Sequence, residues 1–485
     1  MPQGKRGGRD AQPLRIAGRG GEPVKRLLLL VGLAGCSLAG PPPSSAPSEA
    51  PPRAAPAPQP VMNPRRIPQN RGAELAPALV AMSAAGMARV DSIILDAIAQ
   101  RVTPGAALAV GRRGRLVRLR GYGRLDYREG FAEVTDSSLY DLASLTKVVG
   151  TTTAVMLLYD DGLIALDAPL VRYVPEFGTT SVKRSITIRD LLTHSAGLPA
   201  FAPLWQKATG RREYLNAIAN TDLEYTPGTK MVYSDFGPIL LMIAVERITG
   251  KRMDAFLHDR LFHPLGLEET LFNPLAQTVA LSSLGLGTPP DRHPELRNGG
   301  VSGLMQRVAP TEIDTHYRRQ HMHGRVHDEN AFAIGGVSGH AGLFSSARDL
   351  AVFAQMLLDR GRYRGTQIIR ATTVDLFTRR ASELSSRALG WDTADPLSGA
   401  NPSPGWHFSA RSFGHTGFTG TSIWLDPDQQ LFVILLTNRV NPTRENQRHI
   451  PLRTAVADAV QAAIVDTPAR SRRENDKAMQ RGRHD

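Results

Sequence analysis

Apolar positions repeat with two different periods along this chain, and the changes of period outline its organisation. "MARVDSIILDAIAQRV", residues 87–102, carries apolar residues every three to four positions (Met87, Val90, Ile94, Ala97), which predicts an amphipathic helix. "GAALAVGRRGRLVRLRGYG", residues 105–123, reads as two β-rich runs around Arg113-Gly114, a hairpin. From 144 to about 360 the pattern is mostly helical, with long loops. "SIWLDPDQQLFVILLTN" returns to strand, turn and strand, and "PLRTAVADAVQAAIV" closes as a helix. Strands near both ends with helices between them predict an α+β domain over 75–466. Its antiparallel sheet is built from both chain ends and flanked by helices, with a mostly helical subdomain inserted. "ILLMIAV" and "LFVILLT" read as core, because seven apolar residues cannot span a bilayer.

The ends have another character. Lys25 and Arg26 precede the apolar run Leu27–Ala34, followed by "LAGC" ending at Cys36. Basic start, short apolar run and small residues before a cysteine, in that order, predict a secretory signal over 1–36. The "LAGC" end resembles the bacterial lipobox, which implies lipidation of Cys36 and anchoring to a membrane. Ser37 resembles the signal for the outer membrane, facing the periplasm. Residues 1–23 stand upstream of the signal, as an early-called start codon would leave them, with Val24 the natural initiator. Residues 37–74 are rich in proline, alanine and serine and predict an extended tether. Residues 467–485 are polar and predict a disordered basic tail.

Charge changes the picture by its location. The net charge is +13, but residues 1–26 carry +5, 27–71 carry +3 and 467–485 carry +3. The body is left near neutral, so the count does not imply a basic groove for nucleic acid. Arginine outnumbers lysine 50 to eight. A lysine can be tuned to act as a base and an arginine cannot, so each lysine draws notice. With one cysteine there is no disulfide framework and no cysteine zinc site.

Candidate chemistry begins in "DLASLTKVVG", where Ser144 and Lys147 stand three apart at a predicted helix start. That spacing puts both on one face, and the helix N-terminus favours negative charge. A serine needs a base before it attacks a carbonyl. An N-cap serine beside a solvated lysine would look the same in isolation, so the pair needs context. Tyr233-Ser234-Asp235 falls in a loop before an apolar helix, and His415-Thr416-Gly417 falls just before a strand. Ser-x-x-Lys, Tyr-x-acid and basic-Thr-Gly in this order resemble the serine β-lactamase and penicillin-binding protein superfamily. The tyrosine version is similar to the class C β-lactamase branch, with its D-alanyl-D-alanine carboxypeptidases and esterases. The resemblance covers about 80–465. It extends to "ITIRDLLTHSAGLP", "HPLGLEETLF" and "GGVSGHAGLFSSARDLAVF".

The resemblance implies a metal-free, cofactor-free serine hydrolase acting through an acyl-enzyme on Ser144. Its substrate would be an amide or ester acyl donor: a D-Ala-D-Ala-type peptidoglycan peptide, a β-lactam or a small ester. Lys147 or Tyr233 would be the base, Tyr233 would protonate the leaving group, and the N–H groups of Ser144 and Phe418 would form the oxyanion hole. His415, Thr416 and Gly417 would hold a substrate carboxylate or carbonyl. Two departures bear on this. Asp235 stands where the family often has asparagine; it either pairs with Lys147, keeping it charged, or faces outward as a cap. His415 stands where lysine is commonest, giving a weaker, pH-dependent anchor that disfavours efficient penicillin destruction.

Other residues invite plainer readings. His194 reads as a helix-end histidine bonded to backbone. His316, His321, His323 and His327 with Asp328 suggest a metal site, but their spacing is irregular. A loop near the cleft mouth with His327 and Asp328 structurally bonded fits better. The competing class is a catalytically silent cell-wall binding protein of the same fold, against which the retained serine and lysine argue.

Overall fold

The computed structural model describes residues 74–276, 300–394 and 404–466. The expected signal, most of the tether, the basic tail and residues 277–299 and 395–403 lie outside them. Glu74, last residue of the expected tether, accepts the Leu119 N–H at 2.8 Å and pairs with Arg120.

The sheet draws on both chain ends, as expected. Strands β1 (Gly105–Arg112) and β2 (Arg115–Gly123) come from the first end. Strands β3 (Asp392–Thr393), β4 (Phe413–Thr416), β5 (Ser422–Asp426) and β6 (Leu431–Thr437) come from the second. The order is β3-β4-β5-β6-β1-β2, antiparallel throughout. The seam joining the two ends pairs Ala106 with Thr437 through to Arg112 with Leu431. Strand β4 was not separately legible: its four residues include two glycine-flanked polar positions.

Side-chain alternation sorts the sheet into two packed faces. Ala106, Leu108, Val110, Trp424, Val433 and Leu435 meet helices α1 (Ala84–Ala99) and α5 (His449–Ala462). Ala107, Ala109, Ile423, Leu425, Ile434 and Leu436 meet the inserted helical part. That part includes α2 (Thr153–Asp160), α3 (Phe236–Thr249) and α4 (Ala347–Leu358). Both faces are covered, which is why β1 and β6 are buried along their whole length and read as unbroken apolar runs. No described helix is long and apolar enough to cross a membrane.

Arg112 ties the ends together. Its buried guanidinium donates to Val80 O at 2.6 Å and Ala81 O at 2.9 Å, and pairs with Asp466 at 2.7 Å. Removing it strips two buried carbonyls of a charged donor. Arg112→Met is expected to lower the unfolding free energy by about 2–3 kcal/mol in urea denaturation, with catalytic parameters of the folded protein unchanged.

Candidate active site

The backbone around Ser144 is fixed from three distant parts of the chain. Ala143, just before it, holds φ 47°, the left-handed region that alanine rarely adopts. The buried Asp141 carboxylate accepts the Ala143 N–H at 2.8 Å and, with its other oxygen, the His327 N–H at 2.7 Å. The Asp141 and Leu142 carbonyls accept Thr419 Oγ1 at 2.6 Å and Thr421 Oγ1 at 3.0 Å. The Leu142 N–H donates to Leu343 O at 2.9 Å. This close approach requires Gly417: a Cβ there would sit 2.4 Å from Leu142 O and 2.1 Å from Thr421 Oγ1. Among the described residues, neither the Ser144 nor the Phe418 N–H donates a hydrogen bond.

Leu145 and Thr146 continue into a wide, π-helical turn, Lys147–Thr152, that leads into α2. Such turns interrupt the α-helical ladder and recur at functional sites. Lys147 points its ammonium at three acceptors: Ser144 Oγ at 3.0 Å, His340 O at 3.2 Å and Asp235 Oδ1 at 2.7 Å. An ammonium has three protons, so all are used. Burial works against its charge, but the Asp235 carboxylate and then Tyr233 outweigh burial and hold its pKa above the ordinary lysine value. Of the two readings of Asp235, the pair with Lys147 is the observed one. Asp235 stands at the N-cap of α3 without a side-chain capping bond.

Tyr233 is the centre of a ring of charges and imidazoles. The Lys147 ammonium lies 4.8 Å and the Arg387 guanidinium 5.0 Å from its ring centroid. His194 lies at 4.7 Å and His415 at 5.7 Å between centroids. Its buried Oη makes no well-aligned hydrogen bond among the described residues, and its nearest polar influence is the Lys147 ammonium, whose pKa it helps to raise. His194 Nδ1 accepts the Ser234 N–H at 3.1 Å, matching its plain reading as a backbone-bonded histidine, and it thereby braces the Tyr233–Asp235 loop.

His415 differs from the basic anchor that the sequence suggests. It is buried, and burial, then the charges of Arg387 and Lys147, push its pKa well below the ordinary histidine value. Nδ1 lies 2.8 Å from Thr416 O, an acceptor, so Nδ1 carries the proton and Nε2 is left as an acceptor without a partner among the described residues. The neutral ring therefore offers a lone pair, not a positive charge. A second buried cation of this region, beside Lys147, is Arg387, whose Nε and Nη1 have no hydrogen-bond partner among the described residues and whose Nη2 lies 3.7 Å from Asp392.

The histidine-rich loop does not converge on a metal. His321 bonds Thr311 O, His323 bonds Val308 O, and His327 pairs with Glu312 at 3.0 Å. Asp328 caps a short helix through Ala331 N–H and pairs with His340 Nε2 at 2.8 Å. Asp235, Asp328 and His340 bring ligand-type atoms within 4.8 Å of one another. The Lys147 ammonium already bonds Asp235 and the His340 carbonyl there, which opposes a cation.

A half-buried serine hydroxyl held by a lysine, a tyrosine ring against that lysine and two undonated N–H groups make up this site. A family model described as Beta-lactamase matches residues 90–458, most of the chain. The chain belongs to this family. This Beta-lactamase family member is a serine hydrolase with the expected α+β fold. It is 34% identical over 366 residues to an Escherichia coli (strain K12) protein whose name proposes a D-alanyl-D-alanine carboxypeptidase, covering 68% of this chain and 79% of that one. It is 33% identical over 374 residues to the N-acetylmuramyl-L-alanine amidase of Bacillus subtilis (strain 168), covering 72% and 80%. A penicillin-binding protein homologue from Caulobacter crescentus shares the fold at TM-score 0.58 and 20% identity, covering 79% and 98%. The hydrolase EstCE1 does so at 0.57 and 21%, covering 77% and 98%.

Sequence reading missed several residues that shape this Beta-lactamase family site. Arg387 lies in a segment with no local motif of its own, and His340, although inside "GGVSGHAGLFSSARDLAVF", was not singled out there. Arg439 was also missed: its Nε donates to Phe418 O at 2.8 Å and its guanidinium lies 4.4 Å from the Phe418 ring centroid. His327 stacks near the same ring at 5.7 Å.

The Asp235 pair gives a direct expectation. In Asp235→Asn the carboxylate charge is lost, so burial should dominate and the Lys147 pKa should fall below its wild-type value. Nitrogen NMR of the lysine side chain, or the pH dependence of its acetylation, measures this. An unchanged pKa would remove Asp235 as the source of the charge.

Proposed function

We propose that Ser144 is the nucleophile of a peptidoglycan-peptide amidase of the D-alanyl-D-alanine carboxypeptidase type. The observation that carries the reading is the Lys147 ammonium, held on Ser144 Oγ by Asp235 and His340 O. A lysine kept charged is a poor base, so it serves as a fixed donor to Ser144 Oγ and a neighbouring positive charge. In the ionised form that this step requires, Tyr233 takes the Ser144 proton as Oγ attacks the amide carbon, and passes it to the departing nitrogen as the C–N bond breaks. Two cations, Lys147 and Arg387, lie 4.8 Å and 5.0 Å from its ring centroid. The carbonyl oxygen, negative in the tetrahedral state, is received by the Ser144 and Phe418 N–H groups. Water then attacks the acyl-enzyme with Tyr233 as base, and the proton returns to Ser144 Oγ.

A second reading rests on the neutral His415. Two partly exposed carboxylates, Asp235 and Asp328, lie near Ser144, and the third motif brings no cation. This setting favours a scissile amide without an adjacent carboxylate, as in a muramyl-L-alanine linkage; a β-lactam is the least favoured. The related names, a carboxypeptidase and a muramyl amidase, support a cell-wall substrate for either reading. Esterase activity on small esters follows from the same Ser144, Lys147 and Tyr233 site and would be secondary.

Comparison of kcat/KM for a D-Ala-D-Ala peptide, a muramyl-L-alanine peptide, a nitrophenyl ester and nitrocefin tests the proposal. A cell-wall amide should rank first and nitrocefin last. Ser144→Ala should lower kcat by at least about 10³-fold and abolish labelling by a fluorophosphonate. Activity that survives in Ser144→Ala would refute the nucleophile.

We infer further that the protein works in the bacterial envelope, tethered by lipid on Cys36 through residues 37–74. Basic start, apolar run and "LAGC" support this. Cys36→Ser is expected to move the protein from the detergent phase to the aqueous phase in Triton X-114 partitioning. Wild type found in the aqueous phase would refute the anchor.

A further inference from the structure

The turn that carries Phe418 is held from behind by a buried arginine. Arg453, on α5, is 8% exposed. Its Nη2 donates to Gly417 O at 2.5 Å and to Thr421 O at 2.8 Å. Among the described residues it has no ion pair, and its Nε has no partner. Buried guanidinium groups normally face a carboxylate, because desolvating an unpaired charge is costly. Here burial, and then the charge of Arg439, press its pKa down to about 9, the mark of a cation without local compensation.

Gly417 O belongs to the same peptide group as the Phe418 N–H. A trans peptide is planar, so that N–H points away from the carbonyl and hence away from Arg453. α5 covers one face of the sheet; the helices that follow Ser144 cover the other. Gly417 O also accepts the Gly420 N–H at 3.1 Å, so this carbonyl takes two donors, one of them charged. A positive charge on the oxygen of a peptide draws electron density from its nitrogen and strengthens the opposite N–H as a donor. Phe418 O is meanwhile held by Arg439 Nε, and Thr419 and Thr421 fasten the turn to Asp141 and Leu142 beside Ser144.

We propose that Arg453 is a positioning residue for the oxyanion site: it orients and polarises the Gly417–Phe418 peptide so that the Phe418 N–H is a stronger donor to the tetrahedral state. The proposal rests on the reading that this N–H receives the substrate carbonyl oxygen. Arg453 touches no substrate. Its charge finds its counterpart only when the oxyanion forms, so it acts on the transition state more than on bound substrate.

The test uses the full-length protein and three forms at one position. Arg453→Gln keeps a neutral donor; Arg453→Lys keeps a charge. Each is checked for folding by circular dichroism and thermal melting. Acylation by a slow ester is followed in single turnover, and the acyl-enzyme carbonyl stretch is read by infrared difference spectroscopy. Wild type should show a band shifted to lower frequency relative to unfolded acyl-enzyme. Arg453→Gln should acylate about tenfold more slowly, less than the loss of a whole oxyanion donor, with KM little changed and the band moved toward the unfolded value. Arg453→Lys should restore both at neutral pH, and its band should rise in frequency as the buried lysine loses its proton at higher pH. A folded Arg453→Gln with wild-type rate and band would overturn the proposal. Should that variant fail to fold, a pH-independent band in Arg453→Lys would overturn it. If the wild-type band already equals the unfolded one, the oxyanion reading itself fails, and that outcome is separate from failure of the Arg453 role.

Discussion

Everything at this site depends on keeping one buried ammonium charged. Lys147 is almost wholly buried, and burial works against its charge. Asp235 supplies the opposing charge, and Ser144 Oγ and His340 O complete the three-acceptor shell. Each partner comes from a different stretch of chain. The fold must therefore bring the start of α2, the cap of α3 and the loop before α4 to one point. The inserted helical part does this by packing on one face of a sheet whose strands come from both ends.

The constraint spreads outward from that point. Because Lys147 has no proton-accepting capacity while charged, we propose that proton transfer falls to Tyr233, whose ring lies against that ammonium. Because Tyr233 sits against two cations, the histidines beside it are held neutral: His194 and His415 both have pKa values pushed well below the ordinary value by burial and by Arg387 and Lys147. A neutral His415 in turn alters what the third motif can recognise. One charge assignment thus propagates through the substrate side of the cleft.

The sequence was legible where chemistry and period are local. The helix over 87–102, the hairpin at Arg113-Gly114 and the final strand pair and helix follow from side-chain period, and they match α1, β1, β2, β5, β6 and α5. Ser144, Lys147 and Tyr233 were legible as motifs and do converge. What escaped was long-range. Arg387, Arg439 and Arg453 have ordinary local sequence, and the contacts that matter here reach Tyr233, Phe418 and Gly417; His340 lies in a recognised segment, but its carbonyl meets Lys147 across 193 positions. Asp235 could be read two ways because capping and ion pairing look alike in sequence; only the position of Lys147 decides between them. His415 reads as a basic residue, but burial beside two cations cannot be inferred from the tripeptide. The terminal segments, where the lipid signal is read, fall outside the described residues.

The central claim is the protonation state of Lys147 in the free enzyme, and neutron diffraction from a perdeuterated crystal measures it directly. The account predicts three deuterons on Lys147 Nζ, directed at Ser144 Oγ, Asp235 Oδ1 and His340 O, with no deuteron on the Asp235 carboxylate. Two deuterons on Nζ and one on Asp235 would contradict it, and would return the role of base to the lysine.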